Sequence, residues 1–507
     1  MSLAVLGGTA SVSAGDEAES ADNRRAIDLK QALTIMIAEN PQLGARVEAE
    51  NAARERVRQA QGVDDFVLVV SGEWKRRRRE LFETGTPVSG QLSADFLVPQ
   101  EPESDSVRAT FGVRRALPTG GEVGVEAIVD YRRNTFSGQF DSVEGLDTLA
   151  LNEYIPSVGV YYEQPLLRGL GTDSARRDLE QARRVRDQRT RERERTTAEL
   201  LRDTVIAYGE LWFADQELAA RRLSADAART QLEVTSAYIR EQRLPESAVA
   251  EVQIAVAFRA DEVASSRYSA DLRALELGER LGAKDAVVLY RAADTLALPA
   301  LVGAGPAVDA ARSASPELAV AQAVVRAAEA RVNATANDRL PALDLSVRAG
   351  PSGYARNGLG DAFDQVVGFD GYTLTLGLTY EHPIRRREGR GRHGAARAEL
   401  RKARLEATTV QNRITAQVKG RYREAVAARQ RIEVLAQAVD AAKTDVDAEE
   451  ARFRAGRGSN FDVLRRHANM AESRIRLARA RADYVRAVAT LEAITGGILD
   501  RYGVTLP

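Results

Sequence analysis

The chain has 507 residues, with 72 Lys and Arg against 73 Asp and Glu, for a formal net charge of −1. That balance argues against a nucleic-acid partner, since nucleic-acid binders carry a basic excess; with 44% hydrophobic residues, a disordered chain is excluded as well. Cysteine is absent, and the three histidines, His382, His393 and His467, stand far apart. Thiolate metal sites, disulfides and a Ser-His-Asp triad are therefore not expected, and neither an enzyme nor a bound cofactor is anticipated.

Residues 1–26 read as a tail or signal remnant. Val12-Ser13-Ala14 has the small-residue pattern of a cleavage site, but the basic region that opens a signal peptide is missing. No run of 18 apolar residues occurs, so no transmembrane helix is predicted.

The first predicted helix carries Leu29, Ala32 and Leu33 and meets Asn40-Pro41-Gln42-Leu43. Strand patterning follows in Phe66, Leu68, Val70 and Trp74, and a basic run, Lys75 to Arg79, comes next. Val107, Ala109, Phe111 and Val113, then Val123, Val125, Ala127, Val129 and Tyr131, alternate on either side of Leu117-Pro118-Thr119-Gly120-Gly121. That reads as a hairpin with a glycine turn. It either widens a barrel or decorates its outer face. Val158, Val160 and Tyr162 form another strand.

No proline occurs between Pro165 and Pro245 or between Pro383 and Pro507. A helix from Arg176 to Ile239 has 64 residues and would run roughly 96 Å. Leu211, Leu218, Ala225, Leu232 and Ile239 recur every seven residues, as do Val249, Val256, Val263, Ala270 and Leu277 after Pro245. In the last third, Val418, Ala425, Ile432, Val439, Val446 and Phe453 repeat the pattern, as do Val463, Met470, Leu477, Tyr484 and Leu491. Sustained seven-residue spacing favours left-handed coiled-coil packing. Two antiparallel helical hairpins are predicted. Arg183 to Arg195 is almost wholly charged, so that stretch is expected to face water on two sides.

The chain reads as an internal duplication. Asn40-Pro41-Gln42-Leu43 matches Ser315-Pro316-Glu317-Leu318 at an offset of 275, and Glu163-Gln164-Pro165-Leu166 matches Glu381-His382-Pro383-Ile384 at 218. Leu277 and Gly282 match Leu491 and Gly496 at 214. The first repeat is placed at 27–282, a linker or equatorial segment at 283–306, the second repeat at 307–498 and a tail at 499–507. About 57 extra residues sit between the strands of the first half.

The second repeat opens its sheet with Leu343, Leu345 and Val347. Its clearest strand has Tyr372, Leu374, Leu376, Leu378 and Tyr380 on one face and Thr373, Thr375, Gly377 and Thr379 on the other. The threonine face (Thr373, Thr375, Thr379) suits a wet lumen. Trp74, Tyr162, Tyr372 and Tyr380 suit the aromatic girdles of a membrane barrel. Four strands cannot close a barrel in one chain, and open edges in lipid leave backbone groups unpaired at several kcal/mol each. Either the sheet is soluble or several copies share one barrel.

The order helix, strands, helical hairpin, twice over, resembles the TolC family of outer-membrane efflux proteins. The resemblance rests on Asn40-Pro41-Gln42-Leu43, on Gln164-Pro165-Leu166-Leu167-Arg168-Gly169, and on Arg452-Phe453-Arg454-Ala455-Gly456 with Phe461-Asp462-Val463-Leu464. It extends to Ala482-Asp483-Tyr484 and Ile494-Thr495-Gly496-Gly497, and spans about residues 27–498. Two features depart from the family. The first hairpin tip, Arg240-Glu241-Gln242-Arg243-Leu244-Pro245, lacks the usual glycine, and the insertion is large.

The resemblance implies an α+β membrane protein: a trimeric shared β-barrel with a long antiparallel α-helical coiled-coil barrel, in the outer membrane of a Gram-negative bacterium. It implies a passive exit duct for drugs, toxins or proteins, without a cofactor. The partners it implies are two further copies in a homotrimer, a periplasmic adaptor, an inner-membrane pump and outer-membrane lipid. Gate or adaptor-docking candidates are Arg240, Glu241 and Arg243 on the first tip and Arg452, Arg454, Arg457, Asn460 and Asp462 on the second. Arg76, Arg77, Arg78 and Arg79 would meet lipid phosphates at the outer rim, and Arg385-Arg386-Arg387 headgroups at the inner one. The competing expectation is a soluble periplasmic coiled-coil scaffold or adaptor.

Overall fold

The computed structural model describes residues 24–78, 103–137, 148–282 and 288–503. Val12-Ser13-Ala14, Arg79 and the end of the C-terminal tail lie outside the described residues. In chain order the first half comprises β1 (Arg25–Ile27), α1 (Leu29–Glu39), α2 (Pro41–Gln61), β2 (Val67–Arg78), β3 (Glu103–Ala116), β4 (Glu122–Ser137) and β5 (Thr148–Pro165). A single turn, α3 (Thr172–Ala175), precedes the long hairpin α4 (Arg177–Arg240) and α5 (Ala248–Leu281). The second half runs β6 (Tyr290–Ala292), α6 (Ala304–Ala314), α7 (Pro316–Ala336), β7 (Ala342–Pro351), α8 (Leu359–Gly368) and β8 (Tyr372–Glu381). It closes with α9 (Arg387–Arg454), α10 (Asn460–Thr495) and the short α11 (Ile498–Arg501).

These elements group into two compact units. Of the described residues, one gathers those up to Glu50, those within Gln188–Ala323 and those from Leu405; the other gathers those within Asn51–Asp187 and Val324–Arg404.

In the first unit the seven-residue stripes form the packing seams. Leu211, Leu218, Ala225, Ala270, Leu277, Val418, Ala425, Ile432, Tyr484 and Leu491 are buried, and Leu232, Ile239, Val249, Val256 and Val263 are half-buried. One apolar cluster joins Leu201, Tyr208 and Trp212 of α4 to Leu277 of α5, Ala425 of α9 and Val488 of α10. Each seam residue is held by a helix whose opposite face is charged, so burial of one stripe fixes the rotation of the whole rod.

Around this cluster the chain is pinned by polar contacts. β1 and β6 pair in parallel. The Tyr208 hydroxyl donates to the Ile27 carbonyl at 3.2 Å, and burial pushes its pKa up to about 12. Asp215 holds Arg24 at 2.7 Å and accepts from the Ala292 amide at 2.9 Å. On the other side, the Tyr484 hydroxyl donates to the Pro299 carbonyl at 2.6 Å.

The charged stretch of α4 is not wet on two sides throughout. Arg193 is 7% exposed and Glu50 3%, with Arg193 Nε 2.9 Å from Glu50 Oε2. Thr190 adds a hydrogen bond to Glu50 at 3.1 Å. A buried ion pair with a third partner replaces the apolar seam here. The neighbouring arginines sit in pairs along the helix, Arg189 with Glu192 and Arg195 with Glu199.

The duplication recurs in backbone geometry. Gly282 and Gly496 both end their hairpins in the left-handed region, at φ 72° and 82°. A Cβ on Gly282 would lie 2.8 Å from Asn40 Cα, and one on Gly496 2.4 Å from the Ala314 carbonyl. Each glycine therefore sits against the X-Pro joint of its own repeat. Asn40 completes the first joint, accepting from the Gln42 amide at 2.9 Å and donating to the Arg280 carbonyl at 2.9 Å.

The second unit is built on one antiparallel sheet of order β2-β3-β4-β5-β7-β8. The 107–131 hairpin is an integral part of that sheet, inserted between β2 and β5. Four strands come from the first repeat and two from the second.

Gly496→Ala is expected to lower stability by at least about 1–2 kcal/mol, the left-handed strain alone, plus the cost of moving the Ala314 carbonyl. Gly44→Ala, where a Cβ meets nothing within 4 Å on a helix, should instead raise stability by up to about 1 kcal/mol and serves as the contrasting control in thermal unfolding.

Candidate functional site

Two places carry the chemistry: the faces of the sheet and the tips of the hairpins.

Strand register divides the sheet into two surfaces. On β2, Leu68, Val70 and Trp74 stand opposite Val113, Phe111 and Val107 of β3. Those stand opposite Val125, Ala127 and Tyr131 of β4, which in turn meet Val160, Val158 and Tyr154 of β5. The row continues through Val347 and Ala349 of β7 to Leu376 and Leu374 of β8. One face is thus apolar across all six strands. Among the described residues nothing covers it: Leu68 is 71% exposed, Phe111 53% and Leu376 68%. Water makes such a surface costly at roughly 25 cal/mol per Å², so it needs an apolar medium.

Aromatic side chains mark the ends of this face. Trp74 and Tyr154 lie on the same lateral row as Tyr131, whose ring centroid is 5.0 Å from that of Tyr154. Tyr372 and Tyr380 occupy opposite ends of β8. Tyr162 lies near the far end of β5, its hydroxyl donating to Gln164 Oε1 at 2.8 Å.

The other face is polar and ion-paired. Asp130 accepts from Arg108 at 2.7 Å and from Arg132 at 3.1 Å. Arg348 meets Glu126 at 2.8 Å, and the Tyr161 hydroxyl donates to Glu122 at 2.8 Å. Thr375 stands opposite Arg348, and Thr373, Thr375 and Thr379 are exposed on this face. Sequence reading found the threonines but missed the ion pairs. Arg108 with Asp130 and Tyr161 with Glu122 join adjacent strands and Arg348 reaches Glu126 across β5, so these contacts become visible only once strand order and register are known.

The basic run ends β2. Arg76 is paired with Glu103 at 2.9 Å on the apolar side of the strand, while Arg77 alternates to the polar side. Arg386 adopts φ 46° and its guanidinium contacts the His382 ring at 3.2 Å.

The hairpin tips share one backbone motif. At the second tip the Gly456 amide donates to the Phe453 carbonyl and the Arg457 amide to the Arg452 carbonyl, both at 2.9 Å. At the first, the Gln242 amide donates to Ile239 and the Arg243 amide to Tyr238, at 2.9 and 2.8 Å. Both are Schellman endings, which need a left-handed residue. Gly456 supplies it at φ 72° and Gln242 at φ 58°. The absent glycine therefore changes the strain and not the turn.

The candidate tip residues separate into two groups. Arg454 pairs with Glu450 at 2.8 Å and Arg452 with Glu449 at 3.1 Å, both within their own helix. Asp462 sits in the α10 cap with Ser459 and Arg465. Arg243 lies over the Tyr238 ring at 4.3 Å and 3.6 Å from Glu241, and Arg240, Glu241 and Arg457 are exposed. Asn460 is different: it is 6% exposed. Its side-chain oxygen accepts from Gln231 at 2.6 Å and from Thr235 at 2.9 Å. It ties the second tip to α4 instead of presenting itself to a partner. Tyr238 stacks on Phe453 beside it, centroids 5.9 Å apart. Gln231 and Thr235 were missed because a lone polar residue in a long helix carries no signal of its partner.

Among the described residues no helix is long and apolar enough to cross a membrane, and no cluster of His, Asp and Glu could hold a metal ion.

This architecture is that of outer-membrane channels. It is similar to the outer membrane protein VceC of Vibrio cholerae, with a TM-score of 0.62 at 14% identity over 92% of this chain and 96% of that one. The CmeC outer membrane channel of Campylobacter jejuni matches with a TM-score of 0.62 at 11% identity, over 92% and 85%. The open state of the MtrE outer membrane channel of Neisseria gonorrhoeae matches at 0.60 and 13%, over 95% and 96%. At such identities the likeness is one of fold. Residues 307–497 in turn match the outer membrane efflux protein family, so the second repeat carries the sequence pattern of that family as well as its fold. Comparison with curated proteins gives no match. The TolC-type resemblance read from sequence is supported on both counts, and the soluble scaffold is not favoured.

Gln242→Gly should stabilise the first tip by about 1 kcal/mol by removing the left-handed strain of a residue with a Cβ. Asn460→Ala should destabilise the tips by about 1–3 kcal/mol, since Gln231 and Thr235 lose their buried acceptor. Hydrogen exchange of the tip amides reads both changes.

Proposed function

We propose that this protein is the outer-membrane exit duct of a tripartite efflux or type I secretion system. Three copies pool their sheets into one barrel. An adaptor and an inner-membrane pump supply the coupling and the energy. The observation that carries this reading is the open sheet: among the described residues β2 and β8 each have a neighbour on one side only, while one whole face is apolar and uncovered. In lipid, unpaired backbone edges cost several kcal/mol per group, and a neighbouring copy on each side removes both edges.

A second unpartnered surface supports the same assembly. On α5, Ile254, Phe258, Tyr268, Leu272 and Leu275 are 42–70% exposed, at spacings that put them along one side of the rod. A helix of a neighbouring copy is the natural cover.

Solute passes along the polar face without a chemical step. Ion pairs there are already satisfied, so the wall offers hydration rather than tight binding. Arg76, on the lipid-facing side of β2, meets lipid phosphates at the outer rim, while Arg77 lies on the lumen side. At the tips, Arg240, Glu241, Arg243, Arg454 and Arg457 form the gate and adaptor dock. Asn460 keeps the two tips together when those charges exchange partners.

Two experiments test this. Leu376→Arg should impair membrane assembly by about 2–4 kcal/mol, the cost of a lipid-facing Arg at mid-depth, whereas Thr375→Arg should assemble normally and change conductance only. Equal effects would remove the two-faced barrel. Charge reversal at Arg454 and Arg457 should alter conductance or adaptor binding; if both stay unchanged, the tips are not the gate.

A further inference from the structure

We infer that the exit barrel is a ring of eighteen strands, in which the inserted β3–β4 hairpin is wall and supplies the most charged part of the lumen. This rests on the three-copy duct proposed above. Among the described residues the sheet has six strands per copy, and three copies give the eighteen.

Three observations place the hairpin in the wall. First, β3 is paired to β2 from Glu103 to Arg114 on one edge, and to β4 along its whole length on the other; β4 is paired along its whole length to β5. A decoration on the outer face would leave β2 against β5. Second, the apolar face runs unbroken through Phe111, Val113 and Val125, each 43–53% exposed, so both added strands present the same uncovered surface as β8. Third, Arg108, Asp130 and Arg132, the densest ion-paired group of the polar face, all lie on β3 and β4.

The insertion also preserves closure. Two strands are added, so the up-and-down alternation is kept and β2 and β8 remain opposite in direction. The β8 edge of one copy can then pair antiparallel with the β2 edge of the next. Six strands alone make no channel, because even eight enclose only enough room for side chains, whereas sixteen to eighteen leave an aqueous passage. With strands about 4.8 Å apart and tilted about 40°, eighteen strands give a backbone diameter of roughly 35 Å, against roughly 24 Å for four strands per copy. The lumen is therefore wide and charged, suited to hydrated, charge-bearing solutes.

The test uses the full chain, which contains no cysteine. Thr110→Cys and Ala109→Cys place single thiols on the polar and apolar faces of β3. Each is reconstituted in phospholipid vesicles and exposed to a membrane-impermeant maleimide, and the wild-type particle is imaged in a lipid nanodisc. The expected result is three copies in a ring of eighteen strands near 35 Å, with Thr110→Cys labelled at least tenfold faster than Ala109→Cys. Three copies around twelve strands near 24 Å, with both cysteines labelled alike, would overturn this inference and leave the duct standing. A single copy that stays in solution without detergent would overturn both.

Discussion

The obligation to satisfy every backbone amide and carbonyl governs this molecule. In its helices the obligation is met within each rod, and what remains is to bury apolar stripes. In its sheet it is met only between strands, and a linear run of six always leaves two rims unpaired. The apolar face makes that residual demand acute, because in a hydrocarbon medium no water can stand in for the missing partner. The proposed pooling of copies is the answer that this topology invites, because a neighbour on each side would pair both rims.

The helical unit solves a different problem by economy of pattern. A residue buried every seventh position locks the rotation of rods more than sixty residues long, and the two repeats use the same devices at matching places. Glycines at 282 and 496 let the hairpin ends approach their X-Pro joints. Left-handed residues at 242 and 456 turn the tips. Where the seam turns ionic, at Arg193 and Glu50, the pair is supplemented by Thr190, in keeping with the rule that buried charges need more than each other.

Much of this was legible in the residues. The seven-residue stripes named helices whose faces are indeed buried, and the alternation from Tyr372 to Tyr380 named a strand with two unlike faces. Such periodicities are local, and local signals survive in sequence. The position of the 107–131 hairpin was not legible, because alternation defines a strand but not its neighbour. The Arg193–Glu50 pair was hidden for the same reason: its halves are far apart in the chain, and a run of charge looks wet until its partner is located. Asn460 misled in the other direction. Its place near a turn suggested exposure, yet it is 6% exposed and bonded to Gln231 and Thr235 of α4.

The amide at 460 has one last consequence. It accepts from the first hairpin but has no counterpart there, so the two halves of the chain, alike in backbone, are unlike at their ends: one knuckle is anchored by glycine and asparagine, the other by a strained glutamine. In a ring of three copies such knuckles would alternate, and a docking protein would find two classes of socket instead of six equal ones. The duplicated gene product has thereby acquired a polarity that its symmetry alone would not provide.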